Sequence, residues 1–303
     1  MNQQQHKGIL VLGMHRSGTS AVTGMLAMAG GVPPNDVMPP TEDNPRGYWE
    51  SSRIVQFNNA LLVKAGTRWN VADPIDGSWF EAADRDEDVV QAARLIDTEF
   101  PANGPLLLKD PRICRLLPVW MRAFELRGIE SHAVLVTRSP LDVASSLRRR
   151  ADNTKFRPAS IVSVLSSLLL WLRYNLDAEF HSRNIPRTIL EYETVLGNCC
   201  TLLLPLLSLG ILPGSSSLKF NEIQAFLDPS LNREGEANDK LCSTYKFPGS
   251  GAAHSVRTAI HHGDYLVLDR FRSLLTSLSD PLKAGRGERD VESVLLKLDG
   301  LHS

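Results

Sequence analysis

The chain has 303 residues, 43% apolar and 22% charged, which is ordinary globular usage and enough to bury a sizeable core. Thirty-three Lys and Arg against 34 Asp and Glu leave a formal charge of −1, which argues against a protein that coats nucleic acid through bulk charge. Any anion site must therefore come from a local cluster. Four cysteines (Cys114, Cys199, Cys200, Cys242) without C-x-x-C spacing predict reduced thiols. The start of the chain lacks the apolar stretch of a signal peptide, and no apolar run approaches the roughly 20 residues of a bilayer span. A cytoplasmic protein with no integral membrane segment is expected.

In chain order, Gly8–Leu12 reads as a buried strand and Ala21–Ala29 as a helix. Residues 31–104 form an insertion with turn signals at Pro33–Asp36 and Asn44–Gly47 and with Trp49, Trp69 and Trp79. Further strands are expected at Pro105–Leu108, Ser131–Thr137 and Arg187–Leu190, separated or followed by helical patterns at Arg115–Arg127, Pro140–Arg150, Ser160–Arg183 and Glu193–Leu209. Residues 211–303 read as a helical cap with stretches at Tyr265–Leu278 and Asp290–Leu298. Strands alternating with helices predict one α/β domain: a doubly wound parallel sheet of the phosphate-loop type, flanked by helices, with a core over 7–210. In such sheets ligands bind at the carboxyl ends of the strands. The residues just past each strand therefore carry the functional signal.

After the first strand comes Gly13-Met14-His15-Arg16-Ser17-Gly18-Thr19-Ser20, with the spacing of a loop that curls its N–H groups around a phosphate at a helix start. A nucleotide-hydrolysing loop would carry Lys where Thr19 stands. The cations here are His15 and Arg16, and the hydroxyls Ser17, Thr19 and Ser20 suit a group with several oxygens. Arg138 ends the third strand, Pro140 opens the next helix and Ser146 lies about two turns along it, so guanidinium and hydroxyl can converge on a second phosphate. An ion pair of Arg138 with Asp142 is the structural alternative, and Arg148-Arg149-Arg150 reads first as a solvated helix face.

These motifs resemble the sulfotransferase family. Residues 13–20 look like its 5′-phosphosulfate loop, and Arg138 with Ser146 like its 3′-phosphate motif; the likeness covers roughly residues 8–200. Asn44–Glu50 and Lys109–Arg112 look like the bacterial-type branch. The resemblance implies 3′-phosphoadenosine 5′-phosphosulfate as donor co-substrate, no required metal, and a small-molecule, carbohydrate or lipid-type acceptor. It also implies that Tyr192 lies near the nucleoside. The animal members' catalytic Lys-Thr-His is replaced by Lys109-Asp110-Pro111, and of their C-terminal R-K-G-x-x-G only Gly285-Arg286-Gly287 is present.

The expected activity is sulfuryl transfer to a hydroxyl or amine. A P-loop small-molecule kinase and a catalytically inactive nucleotide-binding regulator stand as alternatives. The expected donor-binding set is His15, Arg16, Ser17, Gly18, Thr19, Ser20, Arg138, Ser146 and Tyr192, with Lys109 approaching the transferring oxygens. Three groups are candidates for the base. Glu50 is favoured; Asp110 is open to capture by Arg112 or Arg16; His15 is expected to have its second nitrogen occupied by backbone or donor. Cys114 reads as a small buried residue and His261-His262 as a structural loop.

Overall fold

Four runs of aliphatic residues form the strands β1 (Lys7–Leu12), β2 (Leu106–Lys109), β3 (Glu130–Thr137) and β4 (Arg187–Glu191), all parallel, in the order β2-β1-β3-β4. The computed structural model describes residues 7–42, 44–82, 85–100, 104–153, 163–214, 218–227, 248–278 and 288–301. Cys242, Gly285-Arg286-Gly287 and the Ser160 start of a predicted helix lie outside these residues. Register pairs Leu10 of β1 with Leu108 and Ala133 on its two sides, so the carboxyl ends of β1, β2 and β3 fall together.

The period-2 alternation of each strand separates two cores. Leu10, Leu12, Leu108 and Leu135 face α5 (Ile113–Leu126) and α7 (Val164–His181), packing with Trp120 and Trp171. Ile9, Val11, Leu107 and Val134 face the opposite way, toward α1 (Thr19–Met28) and α9 (Cys200–Ser208). Each such side chain contributes roughly 1.5–3 kcal/mol by leaving water. The two-layer burial explains why the strands read as near-continuous apolar runs.

The insertion is helical: α2 (Ser52–Lys64), α3 (Gly77–Glu81) and α4 (Arg85–Glu99). Ser51 caps α2 by accepting from the Ile54 amide at 3.2 Å. The long helix expected over Glu193–Leu209 is two helices, α8 (Tyr192–Gly197) and α9. Asn198 breaks them apart: its backbone is extended, and its side chain accepts from the Cys200 amide at 3.0 Å, starting the second helix. The helix after β3, α6 (Pro140–Asn153), opens on Pro140 as its sequence requires.

Beyond α9 come α10 (Phe220–Phe226), the unanticipated α11 (Ser250–His262), then α12 (Tyr265–Ser277) and α13 (Glu288–Asp299). Buried residues of α11, α12 and α13 join the same core as α7. Asp299 closes this bundle, its carboxylate accepting from the Gly249 and Ala252 amides at 2.6 and 2.8 Å. No described helix is long and apolar enough to cross a membrane.

Candidate functional site

The loop between β1 and α1 bends at Met14–Ser17, where the Ser17 amide donates to the Met14 carbonyl at 3.0 Å. Arg16 is in the left-handed region (φ 71°), a conformation a non-glycine residue adopts at a cost. Gly18 (φ 84°) lies against the Tyr192 ring, and a Cβ there would run into it. The Gly13 amide donates to Cys114 Sγ at 3.1 Å. Burial pushes the Cys114 thiol up to about 12, which fits a packing residue and not a nucleophile.

The loop and the second motif meet directly. Arg16 Nε donates to Ser146 Oγ at 2.9 Å, and Arg138 Nη1 donates to the Arg16 carbonyl at 2.9 Å. The Arg138 guanidinium also stands 5.5 Å over the Tyr192 ring and 4.0 Å from Asp142. Behind it, Glu193 accepts from the Ser139 amide at 3.0 Å and from Arg257 of α11 at 2.7 Å. Burial raises the Tyr192 phenol, while Arg138, Arg46 and Arg16 act against that. His261 sits at the same sheet edge, 2.7 Å from Thr137 Oγ1, on α11 and not in a loop.

Lys109 ends β2 and donates to Ser20 Oγ and the Tyr48 carbonyl, both at 3.0 Å, and to Glu50 Oε1. Trp49 takes a left-handed conformation (φ 59°) just before Glu50, which is buried and ion-paired rather than on the surface. Burial raises the Glu50 pKa, Asp110 adds to the rise, and Lys109 opposes it. Asp110 is fully buried and held on both oxygens: Asn58 donates to Oδ2 at 2.8 Å, and the Arg112 amide and guanidinium donate to Oδ1 at 3.0 and 2.9 Å. It acts as the cap of the turn into α5, and its partner is Arg112 rather than Arg16.

His15 Nε2 is buried with no hydrogen-bond partner, and its ring packs 5.0 Å from Trp69 and 5.6 Å from Tyr174. Burial holds its pKa well below the usual histidine value, reinforced by Arg112, Lys109, Arg150 and Arg16. Ser17 Oγ is likewise buried without a partner, and Thr19 is buried at the start of α1. All the expected site residues thus gather at the carboxyl edge.

Three arginines outside the expected donor-binding set also stand at this edge. Arg46 lies 4.9 Å over the Phe226 ring, Arg150 lies 6.0 Å from the Tyr48 ring, and Arg112 flanks Trp69 at 6.0 Å. The stretch 67–73, which carries Trp69, is gripped by two buried arginines. Arg115 of α5 donates to the carbonyls of Arg68 (3.3 Å), Val71 (2.8 Å) and Asp73, and Arg173 of α7 donates to that of Ala72 at 2.9 Å. Both face Asp177, at 3.6 and 3.3 Å. Arginine inside the otherwise apolar runs Ile113–Leu117 and Leu168–Tyr174 is the sequence signal for this device. Among the described residues no group of three or more His, Cys, Asp or Glu side chains is placed to hold a metal ion.

The chain is thus an α/β protein in which the loop after β1, through Arg16, meets Ser146 and Arg138 at the edge of a parallel sheet. It matches no protein-family model and no curated protein. Among solved structures it is similar to the sulfotransferase domain of the curacin biosynthetic pathway, at 15% identity over 70% of this chain and 76% of that one (TM-score 0.40). It is likewise similar to the sulfotransferase domain of the Synechococcus PCC 7002 olefin synthase, at 15% identity over 77% and 88% (TM-score 0.43).

Proposed function

We propose that this chain transfers a sulfuryl group from 3′-phosphoadenosine 5′-phosphosulfate to a hydroxyl or amine of a small-molecule, carbohydrate or lipid-type acceptor. The observation that carries this reading is the direct bonding of the two cationic motifs, Arg16 to Ser146 and Arg138 to the Arg16 carbonyl, at one strand edge. Two anion sites so close suit a nucleoside with a charged group at each end. Thr19 in place of the loop lysine, together with the buried, unpartnered Ser17 Oγ, fits a terminal group with many oxygens better than a Mg²⁺-bound triphosphate.

The bound donor supplies the sulfuryl group, which passes to the acceptor oxygen or nitrogen as that atom gives its proton to a base and the S–O bond to the donor phosphate breaks. Arg16, the loop amides and the hydroxyls of Ser17, Thr19 and Ser20 hold the donor's 5′ end, while Arg138 and Ser146 hold the 3′-phosphate. Lys109 balances charge on the transferring oxygens. To do so it turns from Ser20, and the carboxylate of Glu50 is then released to take the acceptor proton. Burial makes Glu50 a stronger base than an ordinary carboxylate, as the role needs. Asp110, bonded on both oxygens, is the poorer choice.

Calorimetry of adenosine 3′,5′-bisphosphate and ATP, each with and without Mg²⁺, tests the reading. The expected result is tight bisphosphate binding that ignores Mg²⁺ and weak ATP binding. Tight, Mg²⁺-dependent ATP binding would favour a kinase instead.

A further inference from the structure

Residues 137–139 carry Arg138 from the end of β3 to the start of α6, and each of the three is held by a different part of the fold. The Thr137 hydroxyl donates to the Leu190 carbonyl of β4 at 3.4 Å and lies 2.7 Å from His261 Nε2 of α11. The Arg138 carbonyl accepts from Trp171 Nε1 of α7 at 3.2 Å. The Ser139 amide donates to Glu193 Oε1 of α8 at 3.0 Å. The backbone on both sides of Arg138 is fixed, and its side chain leaves this turn to bond the Arg16 carbonyl at 2.9 Å.

Helix α11 reaches the turn twice. His261 meets it at Thr137, and Arg257, one turn earlier on the helix, meets it through a carboxylate. Arg257 Nη2 donates to Glu193 Oε2 at 2.7 Å while the other oxygen of Glu193 receives the Ser139 amide, so the carboxylate is a bridge with one oxygen on each side. Arg257 Nε also stands 3.4 Å from Glu191 Oε1, and His261 is 3.8 Å from the same oxygen. Both carboxylates at the junction of β4 and α8 are thus tied to one helix. The Glu193 side chain is 34% exposed. Held by one amide alone, such a carboxylate would trade that bond for water and turn away; the charge-assisted bond from Arg257 keeps it in place. The helix itself is a firm base, because Val256 and Ile260 are buried in the core shared with α7.

A guanidinium holds a phosphate best when it is in place before the ligand arrives, since ordering it on binding subtracts from affinity. We infer that Arg257 is a positioning residue of the donor site: through Glu193 and the Ser139 amide it holds the turn that presents Arg138 to the 3′-phosphate. The inference rests on the sulfotransferase reading and gives the C-terminal helices a part in donor binding.

The test is calorimetry of Arg257→Met, Arg257→Lys, Glu193→Gln and the double variant Arg257→Met/Glu193→Gln, with adenosine 3′,5′-bisphosphate and with adenosine 5′-phosphate. Thermal unfolding of each variant checks folding. Arg257→Met should weaken the bisphosphate about 5- to 20-fold and the 5′-phosphate less than about 2-fold, the size of a coupling carried through an intermediate group. Arg257→Lys restores the charge and should recover part of the loss. Because Arg257 acts through Glu193, the double variant should be no weaker than the worse of the two single variants. Unchanged bisphosphate affinity in Arg257→Met, equal losses for both nucleotides in folded variants, or additive losses in the double variant would overturn the inference while leaving the sulfotransferase reading intact. Should Arg257→Met not fold, Arg257→Lys and Glu193→Gln decide alone: bisphosphate affinity unchanged in both would overturn it. Wild-type protein that binds neither nucleotide would overturn both.

Discussion

Glu50 meets two opposing demands. Burial and the neighbouring Asp110 drive it toward the neutral acid, and the Lys109 ammonium draws it back toward the carboxylate. Its net pKa is raised, so its loss as a base on acidification begins at higher pH than for an exposed glutamate. The acid limb of the turnover profile should accordingly sit above the ordinary carboxylate range, with activity falling as pH drops through it. Glu50→Gln keeps the shape and an acceptor for Lys109. It should leave adenosine 3′,5′-bisphosphate affinity within about 2-fold and lower turnover by about 10²–10⁴-fold. Turnover can be followed as bisphosphate released from the donor across a panel of phenol, polyol and amine acceptors. Asp110→Asn should act differently, chiefly by loosening Arg112 and the start of α5. If Glu50→Gln turns over normally and Asp110→Asn is folded, binds nucleotide and is dead, the base is Asp110.

The stretch 67–73 is a loop with the internal support of a helix. Arg115 and Arg173 take up its inward carbonyls, so the loop keeps its path without a ladder of its own. Arg115→Met would leave the carbonyls of Arg68, Val71 and Asp73 without this donor, while Asp177 keeps Arg173, and should cost on the order of 3 kcal/mol in urea unfolding. Trp69 should move from His15 in that variant, visible as altered tryptophan fluorescence on nucleotide binding. At this scale the sequence is unevenly legible. The strands and both anion motifs could be read because each is a short local pattern: an apolar run ending in Gly13–Gly18, or in Arg138 followed by Pro140. Helix α4 was hidden by its charge, although Val89, Ala92, Ala93 and Ile96 form a buried stripe. The break at Asn198 is a turn signal inside a strong apolar period. Arg46, Trp69 and the arginine grip join residues far apart in sequence, which no local pattern reports. The packing of His15 depends on α7 and the insertion, which no local spacing reports.

For the molecule as a whole, several histidines are buried in the neutral form. His15, His132, His181 and His261 all have pKa values lowered first by burial, and His181, between Phe80 and Phe180, is held down at about 4. A histidine lowered in the folded state takes up its proton more readily when unfolded. Stability is thus complete above the unfolded value near 6.5 and is lost as pH falls toward the folded one. For His181 the window is about 6.5 to about 4, and the loss is on the order of 3 kcal/mol. Glu50, raised by burial, works in the opposite sense but is one group. The unfolding temperature should fall steeply across this window, and His181→Gln should flatten the fall. A slope unchanged by that substitution would place the acid sensitivity elsewhere. Because α11, α12 and α13 share the α7 core, the described C-terminal helices should melt with the sheet in one transition.

The arginine grip on residues 67–73 also bears on how this protein can be altered. Apart from a 3.5 Å contact of Arg115 with Thr67 Oγ1, Arg115 and Arg173 hold main-chain oxygens, which every amino acid supplies, so over residues 68–73 the fold reads the course of the segment more than its spelling. Side chains at Arg68 and Val71 should be exchangeable while the backbone stays in place. A saturation library over those two positions should retain most of its members as folded protein, and its variants should differ from one another in which acceptors they accept. The segment is in effect an exchangeable faceplate on a fixed mount.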